Sequence, residues 1–172
     1  MSTKVIKGVA GIDLAPIPVG GGMALPADYV SVGSTYRDEA KLTEAEPAAV
    51  EHYSNECDDP VESDVTGGKK EVTLTLTDFS PVNIQKFLGG TVTGVAPLDK
   101  WEAPAVKTTS ELALRIRSKN GKYLAFTRVA VYGWTDYDVS PKGIAKIMVK
   151  GLVLAPELAG TAPMEKGTLP VV

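Results

Sequence analysis

At 172 residues, with 44% hydrophobic and 23% charged side chains, the chain has the size and balance of one soluble domain that can bury a real core. Aromatic residues make up only 6%, which argues against a surface built to stack bases or sugars, and the single cysteine, Cys57, excludes an internal disulfide. The net charge of −3 is unevenly spread: residues 1–66 hold 12 acids and 4 bases, net −8, while residues 67–172 hold 9 acids and 14 bases, net +5. This asymmetry describes either two differently charged solvated faces or an acidic surface on one copy that meets a basic surface on the next.

No apolar h-region opens the chain and no apolar run is long enough to span a bilayer, so the expectation is a chain made in the cytoplasm, with no membrane partner. Lys4 to Leu14 is predicted as a first strand, with Ile6, Ala10, Ile12 and Leu14 on one parity. Pro16, Pro18 and Gly20-Gly21-Gly22 break it, and residues 16–26 read as a mobile loop. Tyr29 to Thr35 is predicted as a short strand. Lys41 to Asp64 is acidic and irregular. A helical turn over Ala45 to Tyr53 is weakened by Pro47, so the stretch reads as a long surface loop or an extended hairpin.

Glu71-Val72-Thr73-Leu74-Thr75-Leu76-Thr77 alternates strictly and predicts a strand with Val72, Leu74 and Leu76 inward and the three threonines outward. Ser80-Pro81 predicts a helix start, with Ser80 as the cap. The helix runs through Val82, Ile84, Phe87 and Leu88 to Gly89-Gly90. Leu112, Leu114 and Ile116 form the inward parity of another strand, and Asn120-Gly121 predicts a hairpin turn. The return strand, Tyr123 to Tyr132, is apolar on both parities, as in a strand covered on both faces. Trp134 to Asp138 is read as a turn or bulge, Ile144 to Leu154 as the last strand, and residues 156–172 as a C-terminal arm. The fold class expected is mostly β: a single β-sandwich or barrel domain over 1–172 with one short flanking α-helix, long loops at 16–26 and 37–66, and that arm.

Motifs for chemistry do not assemble. His52, Cys57, Asp58 and Asp59 lie close in sequence but lack the spaced partners of a zinc site and the alternating acids of a calcium loop. Gly67-Gly68-Lys69-Lys70 precedes a strand rather than a helix and reads as a tight turn, not a phosphate loop. No nucleophile elbow or dinucleotide fingerprint appears. The expectation is therefore a non-enzyme with no catalytic residue, no cofactor and no metal. Arg115, Arg117, Lys119, Lys122 and Arg128 flank the predicted hairpin. They read as a solvated tip or a contact between subunits in preference to a nucleic-acid surface.

The stretch from Glu71 to Ile84, ending at Leu88-Gly89-Gly90, resembles the strand-then-helix passage of tail tube proteins of long-tailed bacteriophages. The opening Ala10-Gly11-Ile12-Asp13-Leu14-Ala15-Pro16, the hairpin around Asn120-Gly121 and the strand ending at Leu154-Ala155-Pro156 extend the resemblance from about Lys4 to Pro156. The resemblance implies a β-sandwich with a flanking helix, a fold shared with the inner tubes of contractile tails and of type VI secretion. It also implies hexameric rings stacked into a hollow virion tail tube, through which DNA passes without sequence-specific binding. The partners expected are further copies of the chain and other tail proteins. The residues expected at contacts between copies are the acids Glu44, Glu46, Asp58, Asp59, Glu62 and Asp64 and the bases Lys119, Lys122, Lys142 and Lys146. The alternative is a monomeric β-sandwich binding module on a virion or cell surface. An enzyme with a site invisible in sequence is the third class.

Overall fold

The computed structural model describes residues 8–36, 39–55, 59–107, 109–138, 140 and 142–169. The fold is mostly β with one short helix, as the residue pattern predicted. Strand β1 (Val9–Ala15) leads into a loop with one 3₁₀ turn at Pro26–Asp28, then β2 (Val30–Ser31), β3 (Lys41–Glu44), the pair β4 (Ala48–His52) and β5 (Glu62–Thr66), and β6 (Lys70–Leu76). Helix α1 (Pro81–Leu88) follows, then the small pair β7 (Thr91–Thr93) and β8 (Lys100–Glu102). The chain continues through β9 (Ser110–Ser118), β10 (Lys122–Asp136), β11 (Lys146–Val153) and β12 (Met164–Thr168).

The main sheet runs β2-β1-β9-β10-β11-β6-β3, all pairs antiparallel, with β12 also on β10. The segment from Val30 to Tyr36 closes it. At its start Leu14 pairs with Val30, and the Val32 N–H donates to Ile12 O at 3.0 Å. At its end Thr35 bridges Leu76, Tyr36 N–H donates to Thr75 O at 2.8 Å, and Thr77 N–H donates to Ser34 O at 3.0 Å. Hydrogen bonding thus passes from β1 through this segment to β6 and round through β11, β10 and β9, giving a barrel. Closure pairs most strand edges of the wall among the described residues, which limits the usual liability of an open sheet. Gly33 sits where the segment changes partner, with φ 94°. A Cβ there would stand 2.5 Å from Asp78 Oδ2, so the crossing needs glycine both for its backbone angle and for space.

The core is the barrel interior, where Ile12, Val32, Leu74, Leu76, Leu114, Phe126, Ile147 and Val149 are buried. Helix α1 adds Ile84 and Phe87 to it. Too short to persist alone, the helix is held by this docking and by Asn83, whose Nδ2 donates to Val32 O at 3.0 Å. Gly133 on β10 lets it come close, since a Cβ would sit 3.0 Å from Leu88 Cδ1.

Several expectations are corrected. Thr75 is buried rather than exposed to solvent, where residues 34–36 run hydrogen-bonded beside this end of β6; Thr73 and Thr77 are half-buried. Ala10 is exposed because the β1–β9 register shifts between Val9 and Gly11. The 4–7 part of the first predicted strand lies outside the described residues. Ser80 stands at the cap position with extended backbone but makes no side-chain cap bond. Asp78 braces the helix start instead: its Oδ1 accepts the Ser80 N–H at 3.2 Å and its Oδ2 accepts Asn83 Nδ2 at 2.8 Å. Trp134 to Asp136 continues β10 rather than turning. The C-terminal arm contains β12, paired with β10 from Lys122 to Phe126, so Ile144 to Leu154 does not hold the last strand. The 16–26 loop is packed against the outer face of β1 and β9, with Gly21 and Ala24 buried and Ala24 clustered with Ala15 and Ala113.

Candidate assembly surfaces

The acidic stretch of the first half forms a hairpin. Ala48 pairs with Thr66 and His52 with Glu62, and every residue of β4 and β5 is exposed. Pro47 sits just before β4, where it removes no ladder hydrogen bond, and so excludes the helical turn without harming the strand. Strand alternation gives the hairpin two unlike faces. One carries Val50, His52, Glu62 and Asp64, with His52 Nε2 3.3 Å from Asp64 Oδ2. The other carries Ala49, Glu51, Ser63 and Val65, extended by Tyr53 and Val61 because the Val61 N–H donates to His52 O. Tyr53, Val61 and Val65 are 60–67% exposed, an apolar face that none of the described residues covers. The Tyr53 hydroxyl donates to Glu51 Oε2, and this bond raises its pKa.

A second unpartnered surface lies near the other end of β6. Strand β9 pairs with β10 only as far as Val131, opposite Ser110, while β11 accompanies β10 to Asp136. Among the described residues, the β9-side edge of β10 from Tyr132 to Asp136 therefore has no strand beside it. A cavity of about 480 Å³ opens there, lined by Phe87 and Leu88 of α1, Trp101 of β8, and Tyr132 and Trp134. Trp101 is held in place by its indole N–H, which donates to Gly89 O at 2.8 Å. Tyr132 and Trp134 are 43% and 37% exposed. Lys107 stands at the same cavity and has no ion-pair partner among the described residues.

The charged residues singled out in the sequence are dispersed. Glu44 and Glu46 lie at the base of the hairpin, with Glu44 Oε1 2.9 Å from Lys70 Nζ. Asp59, Glu62 and Asp64 lie on its second half and are exposed; Asp58, like Cys57, is outside the described residues. Lys119 and Lys122 flank the β9–β10 turn at the start of β10, whereas Lys142 and Lys146 follow its end. The two pairs of bases are separated by a 15-residue strand, roughly 45 Å of chain path, and do not form one patch. Lys142 is exposed, while Lys146 is drawn inward, its Nζ 3.8 Å over the Tyr36 ring and 3.7 Å from Glu39.

Three of the five bases near the β9–β10 hairpin are committed within the chain. Buried Asp13 accepts from Arg115 Nε at 3.0 Å and from Arg117 Nη2 at 2.9 Å. Arg128 pairs with Glu111 at 2.7 Å and Glu157 at 3.4 Å. Arg115 also stacks 4.3 Å over the Tyr29 ring, whose pKa is raised chiefly by burial. This cluster ties the 16–29 loop to the barrel and leaves Lys119 and Lys122 as the remaining cations of that turn. Among the described residues no group of three or more His, Cys, Asp or Glu side chains is placed to hold a metal ion, and no helix is long and apolar enough to cross a membrane.

The aromatic cavity and the apolar face of the hairpin were not read from the sequence. Odd-position alternation over Ala49-Glu51-Tyr53 and Val61-Ser63-Val65 carried the second signal, masked by the density of acids around it. Trp101 and Trp134 are 33 positions apart and only the fold brings them to one cavity. No family model matches the chain, and no significant match to it was found among curated proteins.

Proposed function

We propose that this chain is a structural subunit that assembles head to tail into stacked rings, most simply six-membered, forming the hollow tail tube of a bacteriophage and the conduit for its DNA. The observation that carries the reading is the β4–β5 hairpin. It leaves the barrel before the first residue of β6, while α1 and the β7–β8 pair follow the last, so the two ends of the barrel present different surfaces. Two-stranded hairpins are at best marginally stable in water, and this one exposes all ten strand residues. An element of that kind gains its stability from a partner. Different surfaces at opposite ends make a heterologous contact, which repeats as a ring or a stack rather than closing as a two-fold dimer. The tail-tube resemblance of the β6–α1 passage supports the same reading, and the barrel is consistent with it. Strands β3 and β12 each pair on one side alone among the described residues, which leaves short edges for joining neighbours within a ring.

On this reading the protein needs no catalytic group or cofactor, its partners are its own copies and other tail proteins, and its place is the virion. Negative-stain microscopy of the purified protein over a rising concentration series, with and without a tail-initiation complex, tests it. Rings and stacked tubes are expected. Monomer alone under every condition, by microscopy and light scattering, would overturn it in favour of the monomeric binding module.

A further inference from the structure

We infer that the aromatic cavity beside β10 is the receptor for the β4–β5 hairpin of a second copy, which docks by adding a strand to the open β10 edge. The inference rests on the self-assembly reading and names the two surfaces that meet. Three observations on each side match. The receptor offers an unpaired strand edge over Tyr132–Asp136, whose backbone groups lack a ladder partner among the described residues, and an edge strand is the natural partner for such an edge. The hairpin offers strands whose outer edges have no strand beside them among the described residues. The receptor is walled by Trp101, Tyr132 and Trp134, large apolar surfaces of the kind that anchor interfaces. The hairpin offers Val61 and Val65, exposed on one face and small enough to enter. The receptor carries Lys107, and the hairpin carries Glu51 on the same face as Val61 and Val65.

The occupant is a second copy because the two surfaces belong to opposite ends of β6. The hairpin departs at Lys70, whereas the cavity abuts Gly133, which is level with Val149 and Leu74, and α1, which follows Leu76. Translating one copy along the strand direction brings hairpin to cavity, and each copy then keeps one free hairpin and one free cavity.

A complementation experiment tests this. The double variant Val61→Asp/Val65→Asp changes only exposed hairpin residues and keeps the cavity. Trp134→Glu spoils the cavity and keeps the hairpin; Lys107→Glu, at a fully surface position, does so without touching the barrel. Each variant, checked for native circular dichroism, is expected to lose self-association by roughly 30-fold or more. An equimolar mixture of hairpin variant and cavity variant is expected to form dimers only, because the one intact hairpin and one intact cavity satisfy each other and leave no end to extend. The chain's two tryptophans both line the cavity. Their emission should shift to the blue on assembly of the wild type and in the mixture, but not in the hairpin variant alone. Hairpin variants that assemble like wild type, or a mixture that stays monomeric while wild type associates, would overturn the inference. Dimers from the mixture without tubes from the wild type would leave it standing and remove the tail-tube reading instead. Tubes from both single variants would do the reverse.

Discussion

Gly33 carries more of the architecture than its size suggests. It is the point where one segment stops pairing with β1 and starts pairing with β6, at φ 94° and hard against Asp78. Gly33→Ala is expected to cost about 1–3 kcal/mol in denaturant unfolding, through backbone strain and displacement of Asp78. Leu76 is fully buried where that closure meets the core, and Leu76→Ala should cost about 2–5 kcal/mol in the same measurement. The helix start separates two neighbours. Because Asp78 bonds both Ser80 N–H and Asn83, Asp78→Ala should lose about 1–3 kcal/mol. Ser80→Ala, which removes a hydroxyl that bonds nothing at the cap, should stay within about 0.5 kcal/mol. Equal losses at the two positions would return the capping role to Ser80.

Among the elements, the β4–β5 hairpin is the one that the barrel can do without. Among the described residues its strands pair only with each other and contribute nothing to the buried core. Replacing residues 46–67 with a short glycine-rich turn between β3 and β6 should therefore leave the thermal midpoint of the barrel within a few degrees of wild type while abolishing assembly. A large fall in that midpoint would show that the hairpin supports the barrel itself. The opposite is expected of the 16–29 loop, whose residues 16–26 read as a mobile loop in sequence. It is fastened by Ala24 against Ala15 and Ala113, and by Tyr29 against Arg115, over a sheet face that carries Asp13 and its two arginines. Small residues on that outer face make room for the loop. Their meaning was not legible without knowing what crosses them.

On the scale of the whole molecule, charge should steer assembly more than hold it. The acidic hairpin emerges from one end of β6, and Lys142, Lys146 and Lys107 lie toward the other, so in the proposed head-to-tail stack opposite signs would meet. Each exposed pair is worth only about 0–1 kcal/mol, and screening sets in over roughly 8–10 Å at moderate salt. Added salt should thus slow tube growth, followed by light scattering, while leaving the final amount nearly unchanged. Reversing Asp58 and Asp59 to Lys should impair stacking. Normal tubes that now retain DNA would place these acids in the lumen instead. How far the sequence reaches is set by the range of the forces involved. Alternation over Glu71 to Thr77, the Ser80-Pro81 helix start, the Asn120-Gly121 turn and the two-sided apolar run from Tyr123 are local patterns, and by themselves they determined the class of fold and most of its strands. The barrel's closure through Gly33, the burial of Thr75, the ion cluster on Asp13 and the cavity between Trp101 and Trp134 were decided by tertiary structure alone. Each depends on residues far apart in sequence, whose proximity is set by strand register and by which edges find a partner.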